Sequence, residues 1–388
     1  MVEYRRVLAS VLATAKALWT GGSPFAGYTA MWPTNEEGKY VIEAEGIRLA
    51  FTNLNGGAPT NLWMKDMNGN EVDILLGLDF AKDYVNYTGQ LSGTIGRVAG
   101  HISGASFKIN DLTYHTSANG NNGTTTLDGG ERGWSRMALD VGSHTKNSIT
   151  FVVFDRAGRG GFPGNAGSSL SHSVFPYEWR ISYGVTPTRT SDPVPINLSH
   201  QTFWNLDGFG PGSSETVAEH TLQLPFSGLR LEEDEHGIPT GDLKGNMKDT
   251  CHDFWSRPRL LADCLEEHGR YDDLYLVTRQ SPWEKDSKPV ASLSSPKTGI
   301  SVDLYTDQEA VRLLTWDGGP DSNLTLKAGQ GGGKVKKNAA ISMQMQDWPD
   351  ALNHPEWQRD NQVLWGPDRL MTTFSRFQFS VKGRTRLY

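Results

Sequence analysis

Cysteine is nearly missing from this chain, with two in 388 residues, Cys251 and Cys264. One internal disulfide is the most it can form, and the plain expectation is two free thiols in a reduced compartment. No apolar run approaches the roughly 18 residues of a membrane span. Positive charge is short too: 37 Lys and Arg face 44 Asp and Glu, for a net charge of −7. No basic stripe interleaved with aromatics appears, which argues against nucleic acid as a partner. Familiar reaction signatures are also wanting. Gly-x-Ser-x-Gly does not occur. "GQGGGKV" is one residue short of a phosphate loop and has Val335 where Ser or Thr would meet magnesium, so it reads as a glycine-rich surface loop. "CHDF" sets Cys251, His252 and Asp253 side by side, but successive strand residues point to opposite faces. No second ligand pair follows at zinc spacing, so no metal site is expected.

What is present is material for a large core: 37% hydrophobic residues, with 12 Trp and 15 Phe. Its pattern is mostly period two. In "YEWRISYGV", Tyr177, Trp179, Ile181, Tyr183 and Val185 alternate with Glu178, Arg180, Ser182 and Gly184, the mark of a half-buried antiparallel strand. "GIRLAF", "GISVDLY" and "RFQFSV" repeat it, and turn clusters such as "LDGGERG" and "GRGGFPGNAG" punctuate it. No helical crossover recurs, which excludes a parallel βαβ plan. The fold class read from this is all-β: one large antiparallel β-sandwich over 31–388, with no linker dividing it. Residues 1–30 form a separate segment. "EYRRVLASVLATAKALW" has both the basic start and Ala-Lys-Ala of a signal-like leader and the helical spacing of a short amphipathic helix. That ambiguity, with the sequons at Asn86, Asn122, Asn197 and Asn323, leaves cytoplasmic and secreted locations both open.

Taken in order, "GTIGRVAGHISG", "NNGTTTLDGG", "GGFPGN", "NLSHQTFWNLDG", "HGIPTGDL", "GRYDDLYLV" and "MQMQDWPDALNHPEW" resemble successive landmarks of the aldose 1-epimerase (galactose mutarotase) family. The resemblance covers nearly the whole chain beyond about residue 30. It implies a mutarotase-like supersandwich with a sugar site in its concave face and no metal or organic cofactor. The implied partner is a small molecule, a sugar or another cyclic oxygenated metabolite, bound by a monomer or homodimer away from nucleic acid and membrane.

Interconverting anomers requires a base for the anomeric hydroxyl and an acid for the ring oxygen, roles suited to a carboxylate and an imidazole near neutral pH. The family pattern has a His in Leu-His-Gly-Gly, a second in Asn-His-x-Tyr-Phe-Asn-Leu and a Glu two residues before a C-terminal Gln. The matching positions here are Asp128, Gln201 and Gln344. An amide neither gains nor loses a proton near neutral pH. Arg97 and Asp272 match the family's substrate-binding arginine and aspartate. His101 shares strand parity with Arg97 and replaces a residue that is usually Arg, while Gln346 and Trp348 share parity with Gln344. His200, one step from Gln201, is expected to face away from the sugar.

Three functions fit. The first is a repurposed isomerase or cyclase that binds and orients its substrate through amides, with Asp128 or His101 moving any proton. The second is an aldose 1-epimerase in which His200 and Asp347 or Asp350 fill the vacated roles. The third is a non-catalytic carbohydrate-binding protein.

Overall fold

Alternation decides which way each strand faces, and the strand Glu178–Pro187 sets the pattern. Trp179, Ile181, Tyr183 and Val185 are each at most 3% exposed and point into the main core. In the computed structural model, which describes residues 32–87, 89–279, 287–318, 323–366 and 369–383, this strand is fourth in a nine-stranded sheet, paired with Ala166–Phe175 and Met371–Val381. The segment 1–30, expected to be a helix or a signal-like leader, lies outside the described residues.

The opposing layer has seven strands, in the order Pro239–Gly245, Leu229–Glu233, Asp272–Leu276, Ala310–Thr315, Ile341–Gln346, Ser199–Trp204 and Ser92–Ile95. Every strand pairing among the described residues of both sheets is antiparallel. Alternate side chains of the seven-stranded layer, among them Tyr275, Val311, Leu313, Ile341, Met343, Met345 and Trp204, meet the nine-stranded sheet across the core. Trp179 and Trp204 both pack on Phe377 with ring centroids 5.2 Å apart. Each such aromatic pair adds about 0.5–1.5 kcal/mol beyond the area it buries. With one face of the seven-stranded layer committed to this core, its other face is left to carry the site.

One expectation is corrected here. Cys251 and Cys264 are not free thiols but a disulfide, with Cα atoms 5.2 Å apart. Thirteen residues separate them. The turn before Phe254 and the helix Ala262–His268 bring them together because Phe254 and Leu261 both anchor in the core.

Candidate functional site

On the second face of the seven-stranded sheet, polar side chains stand between two apolar clusters. Leu231, Leu274, Leu276 and Ala310 pack under Trp348 and Trp357 at one side. Phe203, Trp316, Leu324 and their neighbours pack against Leu314 at the other. Between them lie Gln201, Gln344, Gln346, Arg312 and Asp272. Arg312 stands directly opposite Gln344 on one neighbouring strand and Leu274 on the other.

Arg312 is the electrostatic centre. Its Nε donates to Asp272 Oδ1 at 2.8 Å, while Nη1 and Nη2 donate to the two oxygens of Glu233 at 2.9 and 3.3 Å. Burial works against its charge, but the two carboxylates outweigh that and push its pKa up. For Glu233 burial wins, and its carboxyl is raised despite the guanidinium. Asp272, the expected sugar ligand, does face the cleft, with one oxygen already committed to Arg312.

A hairpin closes over this strip. His101–Ile102 pairs with Thr126–Leu127, and Asp128 follows with φ at 54°. Asp128 Oδ1 accepts the Gly100 N–H at 2.9 Å, while the Asp128 N–H bonds back to the Gly100 carbonyl at 3.0 Å. Burial raises the Asp128 carboxyl, opposed by that amide, Arg312 and Arg136. Burial lowers the His101 imidazole, and the nearby Arg312 charge lowers it further. His101 Nδ1 is 3.0 Å from Thr125 Oγ1. A Cβ placed on Gly237 would lie 3.9 Å from both His101 Nε2 and an Arg312 terminal nitrogen, so the Asp234–Ile238 turn forms the rim above them. Burial thus disfavours the charged form of both Asp128 and His101, one raised and the other lowered, beside the same guanidinium.

The amides differ from one another. Gln201 Nε2 donates to the Gln90 carbonyl at 2.6 Å. Gln346 Nε2 lies 3.8 Å from the position a Gly100 Cβ would take, under the hairpin. Gln344 is only 4% exposed, yet its carboxamide has no hydrogen bond among the described residues. Its amide atoms are not among the fully buried unpartnered ones, so they remain accessible from the cleft. Trp348 joins the apolar cluster beside the strip, its face covered by the Arg359 guanidinium at 4.3 Å and Trp357 against it.

Arg97 is a correction. It is 1% exposed, its Nε donates to Asp155 at 3.1 Å, and its Nη1 donates to the Pro163 and Gly164 carbonyls at 2.6 and 3.1 Å. The guanidinium is consumed inside the protein and does not line the cleft. The parity argument failed because no strand runs from Arg97 to His101: the first strand ends at Ile95, and Gly100 turns the chain with φ at 78°. His200 does face away, as expected. It is 1% exposed, and its Nδ1 is 2.8 Å from the Tyr183 hydroxyl. Asp347 faces Arg359 and Asn361, and Asp350 accepts from the Ser103 and Asn353 side. None of the three side chains has a hydrogen bond or ion pair to the amide strip among the described residues.

A cavity of about 990 Å³ opens elsewhere, at the end of the sandwich beside Asn197, Gln308, Asp347 and Arg359. It contains none of Asp128, Gln201, Gln344 or Arg312, and its Arg359 pairs with Glu309 at 3.0 Å. The chemically equipped surface is the strip, not this cavity.

Sequence reasoning missed Arg312 and Glu233. A usable signal existed: in "AVRLLTW", Arg312 interrupts an otherwise apolar strand, at the parity opposite to the core residues Val311 and Leu313.

Comparison with known proteins follows the same lines. A family model described as aldose 1-epimerase matches residues 38–366. The chain is 50% identical to "Epimerase FSL3" of Gibberella zeae, over 96% of this chain and 91% of that protein. It is 26% identical to the galactose mutarotase of Bos taurus, over 88% and 94% of the two. A crystal structure of a GalM/aldose epimerase homologue from C. elegans superposes with a TM-score of 0.77 at 24% identity, covering 89% of this chain and 99% of that one, which establishes the likeness of fold.

Proposed function

The chain belongs to the aldose 1-epimerase family, and from that premise we propose that it isomerises a cyclic, hemiacetal-like oxygenated metabolite other than a simple aldose. The observation that carries this reading is the unpartnered Gln344 carboxamide next to Arg312, under a hairpin that supplies Asp128 and His101. Amides and a guanidinium hold oxygen atoms; they do not titrate near neutrality. The hairpin sets a carboxyl and an imidazole on one wall of the cleft, and in this reading Asp128 gives a proton and His101 accepts one, with burial disfavouring the charged form of each.

In ring opening, the His101 imidazole takes the hydroxyl proton as the carbonyl forms. The ring C–O bond breaks, and its oxygen takes the proton of Asp128. Rotation about the adjacent C–C bond and the reverse transfers close the ring with the other configuration. Arg312 steadies negative charge developing on oxygen, and Gln344 and Gln201 fix the ring, a contribution of positioning rather than proton transfer. A second reading, ordinary hexose mutarotation, is favoured by the likeness to galactose mutarotases.

Polarimetry and exchange NMR on α-glucose, α-galactose and a panel of larger cyclic hemiacetals test the choice. The expected result is negligible hexose turnover and catalysis on a panel member that falls roughly 10²–10⁴-fold in Asp128→Asn. Rapid hexose mutarotation in which neither Asp128→Asn nor His101→Asn has any effect overturns it.

A further inference from the structure

Outside the cleft, the structure gathers two sulfurs and an imidazole at one point. Cys264 and His268 sit four residues apart on the helix Ala262–His268, which stacks their side chains on one face. Cys251 reaches them from the turn before Phe254. The ligand atoms of Cys251, Cys264 and His268 all lie within 4.8 Å of one another. The "CHDF" segment, dismissed as a metal motif because no second ligand pair followed at zinc spacing, meets that pair in space.

The surroundings suit a metal. Cys264 is 1% exposed while His268 is exposed, so the point lies at the surface end of a buried thiol. Leu261, fully buried, fixes the start of the helix, and Gly269, with φ at 75°, caps its end. The ring of His252 lies 6.2 Å from that of His268 and is tilted only 23° from it, and its Nδ1 is held 2.8 Å from the Tyr275 hydroxyl. Around a tetrahedral zinc ion, with Zn–S near 2.3 Å and Zn–N near 2.0 Å, neighbouring ligand atoms stand about 3.5–3.8 Å apart. The three ligand atoms already lie within 4.8 Å of one another, and breaking the Cys251–Cys264 bond lets the two sulfurs part toward that spacing.

We propose that, when the Cys251–Cys264 bond is reduced, the two sulfurs and the His268 imidazole bind a zinc ion, with solvent in the fourth position beside His252. The same residues then carry a covalent staple under oxidising conditions and a metal under reducing ones. The exchange balances with a dithiol reductant. The S–S bond takes up two electrons and two protons, the reductant leaves as its own disulfide, and zinc displaces the two thiol protons. Thiolates favour zinc over the oxygen-seeking cations magnesium and calcium.

The test uses the full chain, oxidised or reduced with a phosphine, titrated with Zn²⁺ against a chromophoric chelator and separately with Co²⁺. The reduced chain is expected to bind one equivalent of Zn²⁺, the oxidised chain none. The Co²⁺ form should show thiolate-to-metal charge-transfer absorption, and both Cys264→Ser and His268→Ala should weaken binding at least tenfold. Equal zinc uptake by the oxidised chain, or a cobalt spectrum without the thiolate band, overturns the proposal. His268 is exposed, so His268→Ala also settles the matter if the cysteine variants misfold: unchanged affinity in that variant refutes the site.

Discussion

Replacing Arg312 by Met is the most informative single change, because it separates the electrostatic frame of the cleft from its chemistry. The wild-type guanidinium bonds Asp272 and Glu233 at 2.8 and 2.9 Å, and the side chains of Arg312, Asp272 and Glu233 are 18%, 25% and 11% exposed. Each opposite-charge pair is worth about 4 kcal/mol of Coulomb attraction at roughly 4 Å and an effective dielectric near 20. The cost of removing three groups from water offsets much of that. What the substitution leaves is Glu233 without its cation and Asp272 with only the half-exposed Arg270 at 3.2 Å, a change that costs roughly 3–5 kcal/mol at most.

The pH dependence follows with a definite sign. In the wild type, burial already raises Glu233 above its ordinary value. Arg312 is the first cause holding it down, so its loss raises the folded-state value further. A carboxyl raised in the folded state contributes stability that is complete below its unfolded pKa and lost as pH rises through the folded one. The deficit of Arg312→Met relative to wild type is therefore largest near pH 7 and shrinks as Glu233 protonates, toward pH 4 and below. Urea denaturation at pH 7, 5.5 and 4, with m-values checked for constancy, measures it. Adding Asp272→Asn and Glu233→Gln to the variant should recover much of the loss at pH 7. A deficit below about 1 kcal/mol at pH 7, or one that does not change with pH, refutes the reasoning.

Arg97→Met should destabilise by roughly 3 kcal/mol, since it removes the buried partner of Asp155 and leaves that carboxylate only the half-exposed Arg159 and the Trp134 N–H; substrate KM measured on the folded fraction stays at the wild-type value. Asp128→Asn should leave stability at pH 7 unchanged or higher while lowering turnover roughly 10²–10⁴-fold, because a carboxyl raised by burial loses stability to the unfolded state as pH rises above its ordinary pKa and an amide does not; thermal unfolding beside the rate assay checks both. In metal-free oxidising buffer, Cys251→Ser should lose about 3 kcal/mol, the amount expected for a closed loop of this size, and a phosphine should bring the wild type down to the variant in urea titrations. Gln201→His with Gln344→Glu should give polarimetrically detectable hexose mutarotation, and its absence in a folded double variant counts against Gln201 and Gln344 as the positions of the family's acid and base.

Strand identity was legible in the sequence wherever one face is buried, because a one-residue slip would expose a whole row of apolar side chains. That is why "YEWRISYGV" and "ISMQMQ" could be read for direction as well as type, and why Met343 and Met345 go into the core while Gln344 and Gln346 do not. Legibility stopped where alternation stopped. Between Ile95 and His101 the chain leaves the strand and passes through the left-handed turn at Gly100, so parity could not tell the buried Arg97 from the cleft-facing His101. Pairing between distant segments was equally closed to view. Arg312 meets Asp272 forty residues away and Glu233 seventy-nine residues away, and only the register of three neighbouring strands makes those contacts necessary. The disulfide has the same origin: its partners are close in sequence, but two core anchors rather than a local motif bring them together.

The distribution of ionisable groups carries the functional argument further than their number. On the sheet floor, Gln201 and Gln344 cannot titrate, and Arg312 is locked in its charged form by two carboxylates. The groups that the proposal assigns to proton exchange, Asp128 and His101, ride on a hairpin and are held there through Gly100 and Thr125. Floor residues in a rigid sheet set orientation, whereas a loop-borne acid and base can be repositioned by changes that leave the sandwich intact. Under the proposed function, the chain keeps the family's cradle while its proton chemistry sits on the most adaptable wall of the cleft. On that reading the hairpin at 100–130 and the facing Asp234–Ile238 turn, rather than the sheet, determine the ring accepted. Exchanging those two loops between this chain and a galactose mutarotase relative should transfer ring preference, whereas exchanging the floor glutamines alone should add slow hexose mutarotation without removing the chain's own ring preference.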